Sequence, residues 1–201
     1  MRLAFILPAA ALVLGGISAG AQRASAQTGK PEAKADAQTG ADAKVLNRLH
    51  KADQMEIELG ELAIQRAQSP KVKDYAHRIV KDHKSIDREV TQVAKQEKIT
   101  LTPATKEEPK EGAEPGTETA TGSSAHGSAL ERLRGLKGAD FDRAYVSTMR
   151  AEHEQDIEDL KRARGEVSSP KTKALIDKTI PILERHLKMA NELASTLQPA
   201  G

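Results

Sequence analysis

Apolar residues recur three and four positions apart over four long stretches of this chain, and nowhere do they alternate as they would along a half-buried strand. Four amphipathic helices are predicted, at about Ala43 to Ala67, Pro70 to Lys98, Asp140 to Val167 and Pro170 to Leu197, with a short extra one near Ala129 to Lys137. These stretches are dense in Ala, Leu, Glu, Lys and Arg, all strong helix formers. Ser69 and Ser169 stand where N-caps belong, each followed by a proline at the favoured first helical position, and Asp140 is expected to cap the third long helix. Two segments break the pattern. Residues 27–42 read as a disordered tether, and residues 102–129 as a low-complexity linker in which Pro103, Pro109 and Pro115 exclude a long helix. Residues 43–198 are therefore expected to form an all-α four-helix bundle, two hairpins joined by a long linker. A connection of about 28 residues is needless if the second and third long helices follow end to end, so the Ser69-Pro70 and Ser169-Pro170 turns are expected at opposite ends.

The core-facing stripes each carry one polar intruder. The first helix shows Val45, Leu49, Ala52, Glu56, Leu59 and Ala63; the second Val72, Ala76, Ile79, His83, Ile86, Val90 and Val93. The third shows Asp142, Val146, Met149, His153, Ile157 and Leu160; the fourth Leu175, Thr179, Ile182, His186, Met189 and Leu193. His50 and His77 fall off their stripes and His126 lies in the linker, so these three are expected to be solvated.

Hairpin register supplies an independent constraint, because residues equidistant from a tight turn face each other. Glu56 and His83 have their midpoint on the Ser69-Pro70 turn, and His153 and His186 on the Ser169-Pro170 turn. At ~1.5 Å per residue the pairs lie about 20 and 25 Å from their turns, which puts both near mid-height. With the turns at opposite ends the two pairs differ in height by only about 4 Å. One glutamate and three histidines in one layer form a candidate ligand set for a divalent transition metal, since neutral imidazole and carboxylate suit Zn, Cu, Fe, Mn or Ni. Asp82 and Asp142 are candidates to orient the rings from behind. A histidine–carboxylate hydrogen-bond layer without metal is the competing account, because it too would satisfy the buried polar groups. Pro181 falls inside the fourth long helix, one turn before His186, and is expected to kink it.

Composition narrows the setting. Residues 1–26 combine Arg2, an apolar run from Leu3 to Ile17 and the small residues Ala24 and Ala26, the pattern of a secretory signal peptide cleaved after Ala26. The chain is expected to be exported, periplasmic or secreted. Arg2 and Arg23 leave with that peptide, so the remaining 29 basic residues balance 29 acidic ones. Zero net charge gives no basis for nucleic-acid binding, and no later segment is apolar enough to span a membrane. The chain has no cysteine, which excludes disulfides and thiolate metal sites. No nucleophile–base pair, phosphate loop or paired carboxylate motif points to an enzyme.

The segments "QMEIELGELAIQRAQSPKVKDYAHRIVKDH", "GADFDRAYVSTMRAEHEQDI" and "KTIPILERHLKMA" resemble the bacterial exported family known as domain of unknown function 4142, whose members carry an outer-membrane label. The resemblance runs from about Leu46 to Leu193 apart from the linker. It carries the family's pattern onto Glu56, Asp82, His83, Phe141, Asp142, Tyr145, His153, Pro181 and His186, and it implies a ferritin-like bundle and an exported location. Di-iron ferritin-like enzymes use two Glu-x-x-His motifs, whereas Val80 and Leu183 stand three before His83 and His186, which counts against ferroxidase or oxygenase chemistry. Two functions then compete: an exported bundle that binds a transition metal for storage, buffering or stress defence, and a structural or interaction module of the cell envelope.

Overall fold

The computed structural model describes residues 32–102 and 121–197, with side chains from 40 and 128 onward in the two stretches. The signal-peptide segment, most of the expected linker and the side chain of His126 lie outside the described residues. Five helices make up the rest: α1 (Glu32–Arg66), α2 (Pro70–Glu97), α3 (Thr121–Gly135), α4 (Gly138–Glu166) and α5 (Pro170–Thr196). The chain is an all-α bundle in which α1 packs chiefly on α2 and α4 chiefly on α5. α1 also meets α4, α2 meets α5, and α3 lies against α4.

Three boundaries differ from the sequence expectation, each for a local reason. α1 begins at Glu32, inside the expected tether, because residues 32–42 contain no proline and are mostly Ala, Lys, Glu, Asp and Gln, so the helix extends outward from a firmly held Asp42. α3 begins at Thr121, inside the expected linker, and is pinned by buried Leu130 and Leu133. α4 begins at Gly138, whose φ of +59° is a left-handed conformation that glycine adopts without strain; Lys137 is the N-cap and Asp140 sits within the first turn, paired with Arg143.

Two buried aspartates fasten the helix turns and fix the topology. Asp142, near the start of α4, accepts from the backbone N–H groups of Gln68 (3.0 Å) and Ser69 (2.7 Å) in the α1–α2 turn. Asp42, about three turns into α1, accepts from the N–H groups of Ser168 (3.1 Å) and Ser169 (3.2 Å) in the α4–α5 turn, and from the Ser168 hydroxyl (2.8 Å). An aspartate in the N-terminal half of each hairpin's first helix thus grips the turn of the other hairpin. The two turns must lie at opposite ends, and α1 and α4 run antiparallel. Asp42 and Asp142, like Ser69 and Ser169, are separated by 100 residue numbers, so the two hairpins repeat one plan.

Two apolar clusters fill the bundle. One, toward the α1–α2 turn, includes Leu59, Ile79, Phe141, Tyr145, Met149 and Leu193; the other, toward the α4–α5 turn, includes Leu49, Ile86, Ile157, Leu175, Ile176 and Leu183. Between them each of the four long helices contributes a buried polar residue: Asp53 and Glu56 from α1, His83 from α2, His153 from α4 and His186 from α5. Gly60, one turn beyond Glu56, lets α1 and α2 close on each other there, since a Cβ at that position would sit 2.6 Å from Val80 Cγ2.

Two stability effects are expected. Asp142→Ala strips the acceptor from two part-buried N–H groups and should cost about 1–3 kcal/mol in all, read as a lowered midpoint in chemical denaturation. Gly60→Ala should destabilise by about 1–3 kcal/mol of overpacking against the stiff Val80, less about 1 kcal/mol gained in helix propensity. The double variant Gly60→Ala/Val80→Ala should recover more stability than the sum of its single changes allows, and strict additivity would contradict the close-approach account.

Candidate metal centre

The four polar residues singled out on the stripes meet in one layer. His83, His153 and His186 each offer a nitrogen within 4.8 Å of the others, and their ring centroids stand 5.2–5.6 Å apart. His153 Nε2 lies 3.1 Å from His186 Nδ1 and 3.5 Å from Glu56 Oε2, and that oxygen lies 2.9 Å from His83 Nε2. Four donors at ~2.0–2.1 Å around a tetrahedral metal stand roughly 3.3–3.4 Å from each other, so these three separations match edges of such a polyhedron within a few tenths of an ångström.

Direction matters as much as distance. His83 Nε2 and both Glu56 oxygens are fully buried yet make no hydrogen bond of acceptable geometry, although nitrogen and oxygen are close enough for one. The outward ring nitrogens, by contrast, are tied: His83 Nδ1 to Asp53 Oδ1 (2.8 Å), His186 Nε2 to Asp82 Oδ2 (3.0 Å), and His153 Nδ1 to the Met149 carbonyl one turn back (2.8 Å). The Met149 carbonyl can only accept, so His153 Nδ1 carries the hydrogen and Nε2 presents its lone pair inward. Rings held from behind in this way are characteristic of imidazoles that face a cation.

Charge in the layer is unevenly shared. Burial disfavours the charged forms, but the facing histidines, His153 foremost and then His83, outweigh it at Glu56 and hold its carboxyl down at about 2. At His83 burial is outweighed by the Glu56 carboxylate and the Asp53 hydrogen bond, and the imidazole is pushed up to about 10. Burial lowers His153, and it lowers His186, with repulsion from His153 second, to about 4. Burial also raises Asp53 to about 6, and burial plus the Glu56 charge raises Asp156 to about 7. At neutral pH the layer thus holds one imidazolium–carboxylate pair, His83 with Glu56, beside two neutral imidazoles.

Asp82 stands where the sequence reading puts it, behind His186. Asp142 does not: it binds the α1–α2 turn, and its eleven-residue separation from His153 is about 16 Å along α4, out of reach of the ring. The third orienting group is Asp53, absent from the sequence reading; its signal was its place one turn before Glu56 on the same face. Among the other histidines His77 is exposed, as its phase predicts, but His50 is half-buried because its Nδ1 contacts Asp87 Oδ1 at 2.5 Å. α5 runs unbroken through Pro181.

Solved structures show the same fold. CopM in the Cu(II)-bound form superposes with a TM-score of 0.61 at 19% identity, covering 78% of this chain and 97% of that one. CopM in the Cu(I)-bound form gives 0.60 at 18%, covering 79% and 98%. The DUF305 protein of Streptomyces coelicolor gives 0.59 at 16%, covering 81% and 95%. No curated protein sequence matches the chain. Among the described residues no helix is long and apolar enough to cross a membrane. The family resemblance carried by the Glu56, His83, His153 and His186 segments is matched over the greater part of the sequence, residues 27–193, and the chain belongs to the domain of unknown function family DUF4142.

Proposed function

We infer that this chain is an exported helical bundle that binds one transition-metal ion through Glu56 Oε2, His83 Nε2, His153 Nε2 and His186 Nδ1. The observation that carries this reading is the set of buried inward donors, three of whose separations match tetrahedral edges and every ring of which is fixed by its outward nitrogen. A purely structural polar layer accounts less well for Glu56 and His83, whose facing atoms lie close without hydrogen-bonding. Four protein donors fill a tetrahedral sphere and leave no position for substrate, the pattern of a binding site rather than a catalytic one. Storage, buffering or delivery of metal outside the cytoplasm fits that closed sphere and the signal-peptide pattern of residues 1–26. The donor set suits Zn, Cu, Fe, Mn or Ni. The likeness in fold to CopM, solved with Cu(II) and with Cu(I), makes copper the first ion to test.

Binding requires one proton to leave. His153 and His186 are already neutral, while His83 holds its proton up to about 10, so metal displaces that proton and takes over its partnership with Glu56. The sequence alone expects affinity to fall as pH drops through about 6.5, the ordinary imidazole range. The structure moves that dependence upward: the dissociation constant should fall about tenfold per pH unit from 7 to 9, measured by chelator competition. The sign for folding is opposite. A histidine whose pKa is raised on folding stabilises fully below its unfolded value and loses that stabilisation as pH rises, so the metal-free protein should weaken from about pH 6.5 toward 10.

Metal at a hundredfold excess over its dissociation constant should stabilise the fold by about 2.7 kcal/mol. His153→Leu, which suits the apolar stripe, should abolish that increment while the metal-free protein keeps or gains stability. Thermal melts with and without each ion decide the matter: if Zn, Cu, Mn, Ni and Fe all leave the wild-type melting temperature unchanged, the centre is a structural polar layer.

A further inference from the structure

The proposed ligands are sealed from water: the side chains of Glu56, His83, His153 and His186 are each 3% exposed or less. A cation therefore needs a way in. Two half-exposed carboxylates border the layer on opposite sides of the bundle. Asp82, with a side chain 25% exposed, stands at the α2–α5 seam with its Oδ2 3.0 Å from His186 Nε2. Asp156, at 21%, stands at the α1–α4 seam.

The two sides differ in what covers them. Asp156 lies 3.6 Å from the Arg48 guanidinium, which also pairs with Asp159, so a fixed cation occupies that side. Over Asp82 there is instead a cleft of about 160 Å³, lined among others by Ser85, Glu89, Lys178, Thr179 and Arg185. Lys178 is turned onto Glu89 at 2.6 Å, which neutralises one of its two positive charges. The cleft has room for a cation with part of its hydration shell.

We propose that the α2–α5 cleft is the port by which a divalent cation enters and leaves the buried centre, and that Asp82 is the residue that hands it across. This rests on the metal reading of the centre. The Asp82 carboxylate is the one acceptor among the described residues that touches both cleft and histidine cluster, so it replaces lost hydration water as the ion leaves solvent. Its contact with His186 Nε2 is broken as it takes the ion and remade once the ion has passed to the inner face of the ring. No covalent bond changes: coordination bonds to the ion form as bonds to its hydration water break.

The test is kinetic, with Zn(II) as the probe, association followed by stopped flow against a chromophoric chelator and dissociation by challenge with excess EDTA. Ser85→Leu plugs the cleft without touching the cluster, and should slow association and dissociation alike by about tenfold or more, with an unchanged dissociation constant. Asp82→Asn should slow association by a similar factor through loss of the attracting charge. Arg48→Ala, which uncovers Asp156, should leave both rates as they are. If Ser85→Leu exchanges Zn(II) at wild-type rates, or if Arg48→Ala alone accelerates exchange, the port lies elsewhere and the proposal is overturned while the centre stands. If the wild-type chain takes up no Zn(II) or Cu(II), both the centre and its port fall.

Discussion

An imidazolium and a carboxylate held against each other between two apolar clusters impose the strictest constraint on this bundle. Charges removed from water are costly, and the cost is recovered only by a partner at close range with its remaining atoms satisfied. The Glu56–His83 pair meets the first requirement at 2.9 Å and the second only in half, since Asp53 satisfies His83 Nδ1 while Glu56 Oε1 has no hydrogen bond. An apolar pair of similar volume would be expected to serve stability as well or better. That makes the layer expensive as scaffolding and sensible as a prepared place for a positive ion, with the His83 proton standing in for it.

The surroundings keep that layer in register. Gly60 sets the α1–α2 spacing beside Glu56, and the reciprocal grip of Asp42 and Asp142 on the opposite turns fixes how far one hairpin slides past the other. A slip of one helical turn, about 5.4 Å, would carry the His153–His186 pair out of reach of Glu56. The two aspartates thus do for the height of the centre what the glycine does for its width.

Much of this was legible before any coordinates. Helical phase and distance from a tight turn are both fixed by backbone geometry, which is why Glu56, His83, His153 and His186 could be placed together. The failures came from treating each stripe as one narrow line. α1 buries Asp53 where the stripe names Ala52, and α5 buries Ile180, Leu183 and Ala190 while Ile182 and Met189 stay half-buried. A helix packed against two neighbours buries an arc, and residues at its edges are decided by tertiary contact. His50 is the exception among the off-stripe histidines: the register rule that pairs Glu56 with His83 sets it opposite Glu89, and the structure pairs it with Asp87, two residues away on the same helix. Asp142 was assigned to the rings by its inward phase alone; its distance along α4 argued for the turn instead.

The crossover between α2 and α3 divides the ligand set evenly. Glu56 and His83 belong to the first hairpin, His153 and His186 to the second, and the only covalent tie between the hairpins is the long connection. An ion bound at mid-height would act as a rivet between two half-bundles, placed where neither apolar cluster reaches. Metal occupancy would then govern how often the halves breathe apart, and a chain cut within the connection would become a pair of fragments whose reassembly is controlled by metal.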